Sequence, residues 1–146
     1  EGIYFSHPNS FANGQRVVVG RKNSGELLAQ RMQEKGLNPD SIVPVLDSGL
    51  PAAIGVAQEL NVSLKLAVTT DHYRGRTFIT AGENSRNDAA NGKHRFIPEE
   101  LQGASPAVID DSIVRINTAP KIVKGLRSNG ARQGAPPLRV RPYNPA

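Results

Sequence analysis

The run from Val108 to Pro120, VIDDSIVRINTAP, constrains the fold of this chain more than any other stretch. Its apolar start is typical of a buried parallel strand, and a polar turn follows where that strand ends. Thr118 and Pro120 then supply an N-cap and a first-turn proline, which predict a helix over 121–127. Because free backbone N–H groups at a helix start attract anions, the run predicts a phosphate site over 115–119.

Two adjacent carboxylates, Asp110 and Asp111, lie at the end of the predicted strand. Carboxylate oxygens accept hydrogen bonds from sugar hydroxyls and bind hydrated cations such as Mg²⁺. An arbitrary Asp–Asp pair is more often a solvated turn or a helix cap. Here the preceding strand, the following helix and the hydroxyls of Ser112 and Thr118 favour a phosphosugar site instead.

The first half of the chain alternates between helical and strand patterns. The predicted elements are a helix over 15–35, a strand over 42–46, a turn over 47–51, a helix over 52–60 and a strand over 64–68. Strand, helix and strand with short joints imply a right-handed parallel unit. We therefore predict an α/β domain with a central parallel sheet flanked by helices.

Asp47, Ser48 and Gly49 form a second candidate site segment. These residues favour an ordinary type I turn, which is the plainer interpretation. Their predicted position at the carboxyl end of a parallel strand, where α/β proteins bind ligands, favours a binding role.

The alternation of helical and strand patterns stops over 69–100, a stretch that is rich in Asn, Gly, Arg and Asp. A loop of that length inside a compact domain is usually functional or disordered, and we predict a mobile lid. A strand over 107–109 leads to Asp110, residues 138–140 are a candidate edge strand, and the proline-rich tail 134–146 is predicted to be loose.

Composition predicts one domain in a reducing compartment. The chain has 146 residues, which suffice for one sizeable core, and it contains no cysteine, which excludes disulfides and suits a cytoplasmic location. Membrane insertion is not expected, because no apolar run is long enough. The net charge of +5 raises nucleic acid as a partner, but few aromatics accompany the basic residues, so nucleic acid is unlikely and a small anionic substrate is favoured.

Four ordered stretches resemble one known family. VIDDSIVR followed by NTAP resembles the phosphoribosyl pyrophosphate (PRPP) signature of type I phosphoribosyltransferases. Within it, the segment DDSIVR is most similar to the amidophosphoribosyltransferases. IYFSHPNS resembles the strand by which those enzymes enter the transferase domain. PVLDSGLPAAIGVA over 44–57 resembles their pyrophosphate loop, and HYRGRTFI over 72–79 resembles their mobile loop.

The resemblance implies a type I phosphoribosyltransferase-like fold with a small hood from the loop region, together with a set of site residues. Arg76 and Tyr73 would be catalytic, Arg76 by neutralising the leaving group, and Ser48, Asp110 and Asp111 would hold Mg²⁺ as the cofactor. The residues that would contact PRPP are Asp47, Ser48, Gly49, Asp110, Asp111, Ser112, Ile113, Val114, Arg115, Ile116, Asn117, Thr118 and Ala119.

The implied reaction is transfer of phosphoribosyl from PRPP to ammonia, giving 5-phosphoribosylamine and pyrophosphate in purine biosynthesis. Glutamine would serve through a glutaminase domain or subunit. That family's glutaminase uses a terminal cysteine, so we expect it to be absent from this chain. A homo-oligomer is also possible. Ile116 and Asn117 stand where the family usually has Gly and Thr, and this departure and the basic charge permit one alternative, a weakened or non-catalytic PRPP- or nucleotide-binding regulator on the same fold. A second alternative is a nucleobase phosphoribosyltransferase, which the DDSIVR match disfavours.

Overall fold

The structure is a computed structural model, and it describes residues 7–12, 14–70, 94–110, 118–132 and 138–139. Within these ranges only the backbone is described at Ala12, Thr118 and 138–139. The predicted catalytic residues Tyr73 and Arg76 and the run 111–117 lie outside the described residues, as does most of the tail 134–146.

Eight short strands and four helices make up the described part. In chain order they are β1 (Phe11–Ala12), β2 (Gln15–Arg16), α1 (Val17–Glu34), β3 (Ser41–Pro44), α2 (Leu50–Leu60), β4 (Ser63–Leu64), β5 (Val68–Thr70), β6 (His94–Phe96), α3 (Pro98–Leu101), β7 (Pro106–Asp110), α4 (Thr118–Ser128) and β8 (Leu138–Arg139). Among them no helix combines the length and the apolar character needed to cross a membrane.

The central sheet has the order β4-β3-β7-β8, and all of its strands are parallel. β3 pairs with β7 from Ser41 opposite Pro106 to Pro44 opposite Ile109. Proline lacks an N–H donor, and Pro106 is accommodated as the first residue of its strand. The predicted α/β architecture with a central parallel sheet is confirmed, and so is an edge strand at Leu138–Arg139.

The single strand predicted over 64–68 is wrong. The N–H of Lys65 still donates to the carbonyl of Ile42 at 2.8 Å, but the chain then leaves the central sheet and β5 pairs antiparallel with β6. Leu66 is 48% exposed at this crossing, whereas Ala67 and Val68 are fully buried. A mainly apolar run does not reveal where a strand changes partner, because the apolar character continues through the change.

The predicted loop over 69–100 is wrong at both ends. Thr69 and Thr70 belong to β5, and β6 and α3 occupy most of 94–101. The helix predicted over 15–35 begins two residues later, because Gln15 and Arg16 pair with β1 in a hairpin. The helix predicted over 121–127 begins earlier, at Thr118. Short strands of two or three residues carry too little periodicity to be read from sequence.

Two apolar cores cover the two faces of the central sheet. Successive strand residues point to opposite faces, so Ile42, Ala107 and Ile109 join α1 and α2 on one side. Val43 and Val108 face the other side, where α3, α4 and β5 contribute Leu101, Ile122, Leu126 and Val68. The alternation places Asp110, which follows Ile109, on the same face as Val108.

The two helices on the first face approach each other backbone to backbone. A Cβ atom at Gly25 of α1 would collide with the carbonyl of Ala52, and one at Gly55 of α2 would collide with the carbonyl of Lys22. Glycine in a helix costs about 1 kcal/mol relative to alanine, but here it allows a contact that no side chain would permit. This contact fixes α2, and with it the turn that precedes α2, against α1.

Substituting Gly25 by alanine tests this contact. We expect Gly25→Ala to lower the free energy of unfolding by about 1–3 kcal/mol, because the added methyl meets rigid backbone. The matched control is Gly20→Ala in the same helix, whose Cβ would lie 3.1 Å from the movable Nε2 of Gln15. This control should be neutral or stabilising by up to about 1 kcal/mol. Equal effects of both substitutions in chemical denaturation would contradict the proposed packing.

Candidate functional site

The two predicted site segments meet at the carboxyl edge of the central sheet. β3 and β7 end side by side, and the N–H of Val45 extends their pairing by donating to the carbonyl of Ile109 at 2.9 Å. The turn with Asp47 follows β3 directly, and Asp110 is the last residue of β7. The sequence placed these residues at separate strand ends, and the parallel pairing brings them to one edge.

Gly49 closes the turn against the neighbouring strand. It is buried, and its N–H donates to the carbonyl of Val45 at 3.0 Å. A Cβ atom at this position would lie 2.6 Å from the carbonyl oxygen of Ile109 and 2.8 Å from that of Val45. The turn can therefore lie flat against the end of β7 only because residue 49 lacks a side chain.

The helix α2 starts directly from this turn. Leu50 is its first residue, Pro51 occupies its first turn, and the N–H of Ala53 donates to the carbonyl of Gly49 at 3.0 Å. Because the helix starts at the turn, the positive end of the α2 dipole lies beside the turn and favours negative charge at this edge. Within the turn, the peptide bond between Leu46 and Asp47 is cis.

The side chains at this edge offer oxygen atoms. Asp47 is exposed, and Ser48 and Asp110 are half-buried. Two carboxylates and a hydroxyl form a hard donor set, and Mg²⁺ is typically held by one or two carboxylates plus substrate phosphates and waters. These residues fit that mode of binding. Within the described ranges, no group of three or more His, Cys, Asp or Glu side chains is placed to hold a metal ion by itself.

The first turn of α4 faces the same edge. α4 lies in the chain between the parallel neighbours β7 and β8, and it packs Ile122 and Leu126 into the same core as Val108, so it runs back along the sheet. Its start at Thr118 and Ala119 consequently lies near the end of β7. The connection between them, which carries Asp111, Ser112, Ile113, Val114, Arg115, Ile116 and Asn117, lies outside the described residues.

The ribbon formed by β5 and β6 contributes contacts that the sequence did not predict. The hydroxyl of Thr70 donates to the carbonyl of Leu46 at 3.1 Å, next to Asp47. His94 pairs with Thr70 across the ribbon, and burial lowers the pKa of His94 and so favours its neutral form. The Nδ1 atom of His94 is buried without a hydrogen-bond partner. In the sequence, only the place of Thr70 within the segment predicted as the lid, 69–100, pointed to these contacts.

Comparison with known proteins identifies relatives for nearly the whole chain. The amidophosphoribosyltransferase of Rhizobium etli is 39% identical over 133 residues, which are 91% of this chain and 26% of that protein. The Bacillus subtilis enzyme is 37% identical over 133 residues, or 91% of this chain and 27% of that protein. The enzyme of Methanothermobacter thermautotrophicus is 36% identical over 144 residues, covering 95% and 30%. No family model matches the chain.

Comparison with solved structures points to the same group of enzymes. Glutamine PRPP amidotransferase from B. subtilis, complexed with ADP and GMP, superposes with a TM-score of 0.74 at 37% identity, covering 88% of this chain and 28% of that one. A structure of the allosteric regulatory enzyme of purine biosynthesis superposes with a TM-score of 0.74 at 36% identity, covering 88% and 27%.

The parallel sheet, its flanking helices and these superpositions define a type I phosphoribosyltransferase fold. Within that class the chain is homologous to a segment of the amidophosphoribosyltransferases. The chain spans about a quarter to a third of the length of the relatives named above.

Two neighbouring substitutions separate the architecture of the turn from its chemistry. Gly49→Ala should lower the free energy of unfolding by about 1–3 kcal/mol, because the added methyl meets two backbone carbonyls. Ser48→Ala removes a half-buried hydroxyl and should change stability by less than about 0.5 kcal/mol. Chemical denaturation of both variants measures the difference. A Gly49→Ala variant as stable as Ser48→Ala would show that the turn does not press against β7.

Proposed function

We propose that this chain is the phosphoribosyltransferase part of an amidophosphoribosyltransferase. It binds Mg·PRPP and transfers the phosphoribosyl group to ammonia, which gives 5-phosphoribosylamine and pyrophosphate. The observation that carries the proposal is the meeting of the Asp47–Gly49 turn with the end of β7 at Asp110, supported by homology over 91% of the chain.

The reaction is a displacement at C1 of the ribose. The bond from C1 to the pyrophosphate oxygen breaks, the bond from C1 to nitrogen forms, and the ammonia nitrogen loses a proton. Side chains have little acid–base work to do here, and their task is to position the substrate and to neutralise charge. Asp110 and Asp111 accept hydrogen bonds from the ribose hydroxyls, while the N–H groups of residues 115–119 hold the 5′-phosphate.

The turn after β3 handles the leaving group in this proposal. The positive end of the α2 dipole favours the negatively charged pyrophosphate beside Asp47, Ser48 and Gly49. Ser48, Asp110 and Asp111 would hold Mg²⁺, which when bound would supply positive charge near the pyrophosphate. Arg76 adds a second positive charge, and Tyr73 and Arg76 close over bound PRPP with the loop that carries them.

The nucleophile comes from outside the site. Free ammonia suffices for the chain itself, and glutamine serves through a glutaminase domain or subunit, since this chain has no cysteine nucleophile. We place the protein in the cytoplasm, in keeping with the absence of cysteine. Assembly into a homo-oligomer stays a prediction. Nucleobase transfer and regulatory binding without catalysis are separated from this function by the experiment below.

Replacing Asp110 by asparagine tests the proposed site. We expect Asp110→Asn to weaken binding of Mg·PRPP by more than about tenfold, because a charged hydrogen bond contributes about 1.5–3 kcal/mol. Calorimetric titration of Mg·PRPP gives the affinity. In parallel, pyrophosphate release from PRPP is measured under three conditions: with ammonia, with each nucleobase in turn, and with no acceptor. Release should require ammonia and should increase toward alkaline pH as ammonium loses its proton.

Asp40→Asn is the matched control at the opposite edge of the sheet. The carboxylate of Asp40 accepts hydrogen bonds of 2.8 Å from the N–H of Ser105 and from the hydroxyl of Ser41, so it ties the starts of β3 and β7 together. Its substitution should lower stability and leave the affinity for Mg·PRPP within about twofold. Unchanged affinity in Asp110→Asn would reject the site. Tight binding without pyrophosphate release would favour the regulatory alternative, and release only with a nucleobase would favour the nucleobase enzyme.

A further inference from the structure

One side-chain contact links the β5–β6 ribbon to the turn after β3. The hydroxyl of Thr70 donates to the carbonyl of Leu46 across 3.1 Å, between residues that lie 24 positions apart in the chain. Leu46 immediately precedes Asp47, and Thr70 is the last residue of β5. The contact therefore connects the strand that leads toward Tyr73 and Arg76 with the turn proposed to hold pyrophosphate.

Neighbouring carbonyls of the turn are held by backbone groups. The carbonyl of Val45 accepts from Gly49 at 3.0 Å, that of Asp47 accepts from Leu50 at 3.3 Å, and that of Gly49 accepts from Ala53 at 3.0 Å. The carbonyl of Leu46 accepts from the side chain of Thr70. The orientation of the peptide group before Asp47 thus depends on a residue from another element.

The ribbon that carries Thr70 is firmly anchored. The N–H of Ile97 donates to the carbonyl of Ala67 at 2.9 Å. Ala67 and Val68 are fully buried in the core that also contains Val108. Phe96, opposite Val68 in the ribbon, lies directly on Gly125 of α4, where any side chain would collide with the ring. Because both strands are packed in this way, the hydroxyl of Thr70 is a donor at a fixed place.

We propose that Thr70 is a positioning residue for the turn at Asp47–Gly49. Its hydroxyl fixes the carbonyl of Leu46 and so sets the direction in which the following N–H groups and the side chains of Asp47 and Ser48 face. The consequence for pyrophosphate binding rests on the function proposed above, whereas the effect on the turn itself does not.

Three variants test the role of the hydroxyl. Thr70→Val removes the donor and keeps the shape of the side chain, and Thr70→Ser keeps the donor. Thr69→Val is the control, because Thr69 is also half-buried in β5 but its side chain points to the opposite face of the ribbon. Thr70→Ala replaces the valine variant in every measurement if thermal unfolding shows that the valine variant does not fold.

The first measurement reads the turn without any ligand. In ¹H–¹⁵N NMR spectra we expect Thr70→Val to shift the amide resonances of Ser48 and Gly49 and to speed hydrogen exchange at Gly49. Thr70→Ser and Thr69→Val should leave these amides close to their positions in the unsubstituted chain. Unmoved amides in Thr70→Val, or equal shifts in the valine and serine variants, would overturn the positioning role whatever the protein binds.

The second measurement is the affinity for Mg·PRPP and for Mg·pyrophosphate. Thr70→Val should raise both dissociation constants about five- to tenfold, which lies within the range expected for loss of one neutral hydrogen bond, and Thr70→Ser should stay within about twofold. Unchanged affinities in Thr70→Val would overturn the link to the substrate. If the unsubstituted chain binds neither compound while the amide shifts follow expectation, the proposed function fails and the role of Thr70 in the turn stands.

Discussion

Backbone pairing between β3 and β7 determines where both halves of the proposed site lie. The two strands are parallel and pair over four residues from Ser41 opposite Pro106. Parallel strands in register deliver their carboxyl ends to one edge, so the turn with Asp47 and the end of β7 at Asp110 become neighbours. Asp40 secures the other end of the same pair through its bonds to Ser41 and Ser105. A shift of this register by one residue would turn the side chain of Asp110 to the opposite face of the sheet.

Close approaches of backbone hold the other elements in place. Gly25 and Gly55 let α1 meet α2, Gly49 lets the turn meet the end of β7, and Gly125 lets α4 meet the ring of Phe96. At each of these places an added methyl group would meet carbonyl oxygens or an aromatic ring. The contacts at Gly25, Gly55 and Gly49 are with main-chain atoms, which vary little with side-chain motion, and such a framework suits the proposed reaction, which depends on positioning.

Much of this arrangement follows from local sequence. The buried strands around Ile42 and Val108 and the turn at Asp47 are marked by apolar runs and small polar residues, and the structure confirms them. The helix predicted over 52–60 is also present, but it begins two residues earlier, at Leu50, and includes Pro51 in its first turn. These signals act within a few residues, which is why they are readable. The strand end at Asp110 was predicted on the same grounds.

The ribbon of β5 and β6 could not be predicted in this way. Its strands have three residues each and are separated by 23 intervening positions, so neither has a period of its own. The partner of Thr70 is a carbonyl, which leaves no trace in the sequence. The role of Gly25 was hidden for a related reason, because a helical glycine is read as a cost until the facing helix is known.

Hydrogen exchange followed by mass spectrometry, with and without Mg·PRPP, tests most directly whether the edge shared by β3 and β7 is the substrate site. The account predicts that the ligand slows exchange in peptides covering 46–50 and 109–119, and that peptides around Asp40 and Ser105 at the opposite edge are unaffected. Protection confined to other parts of the chain, or equal protection at both edges of the sheet, would contradict it.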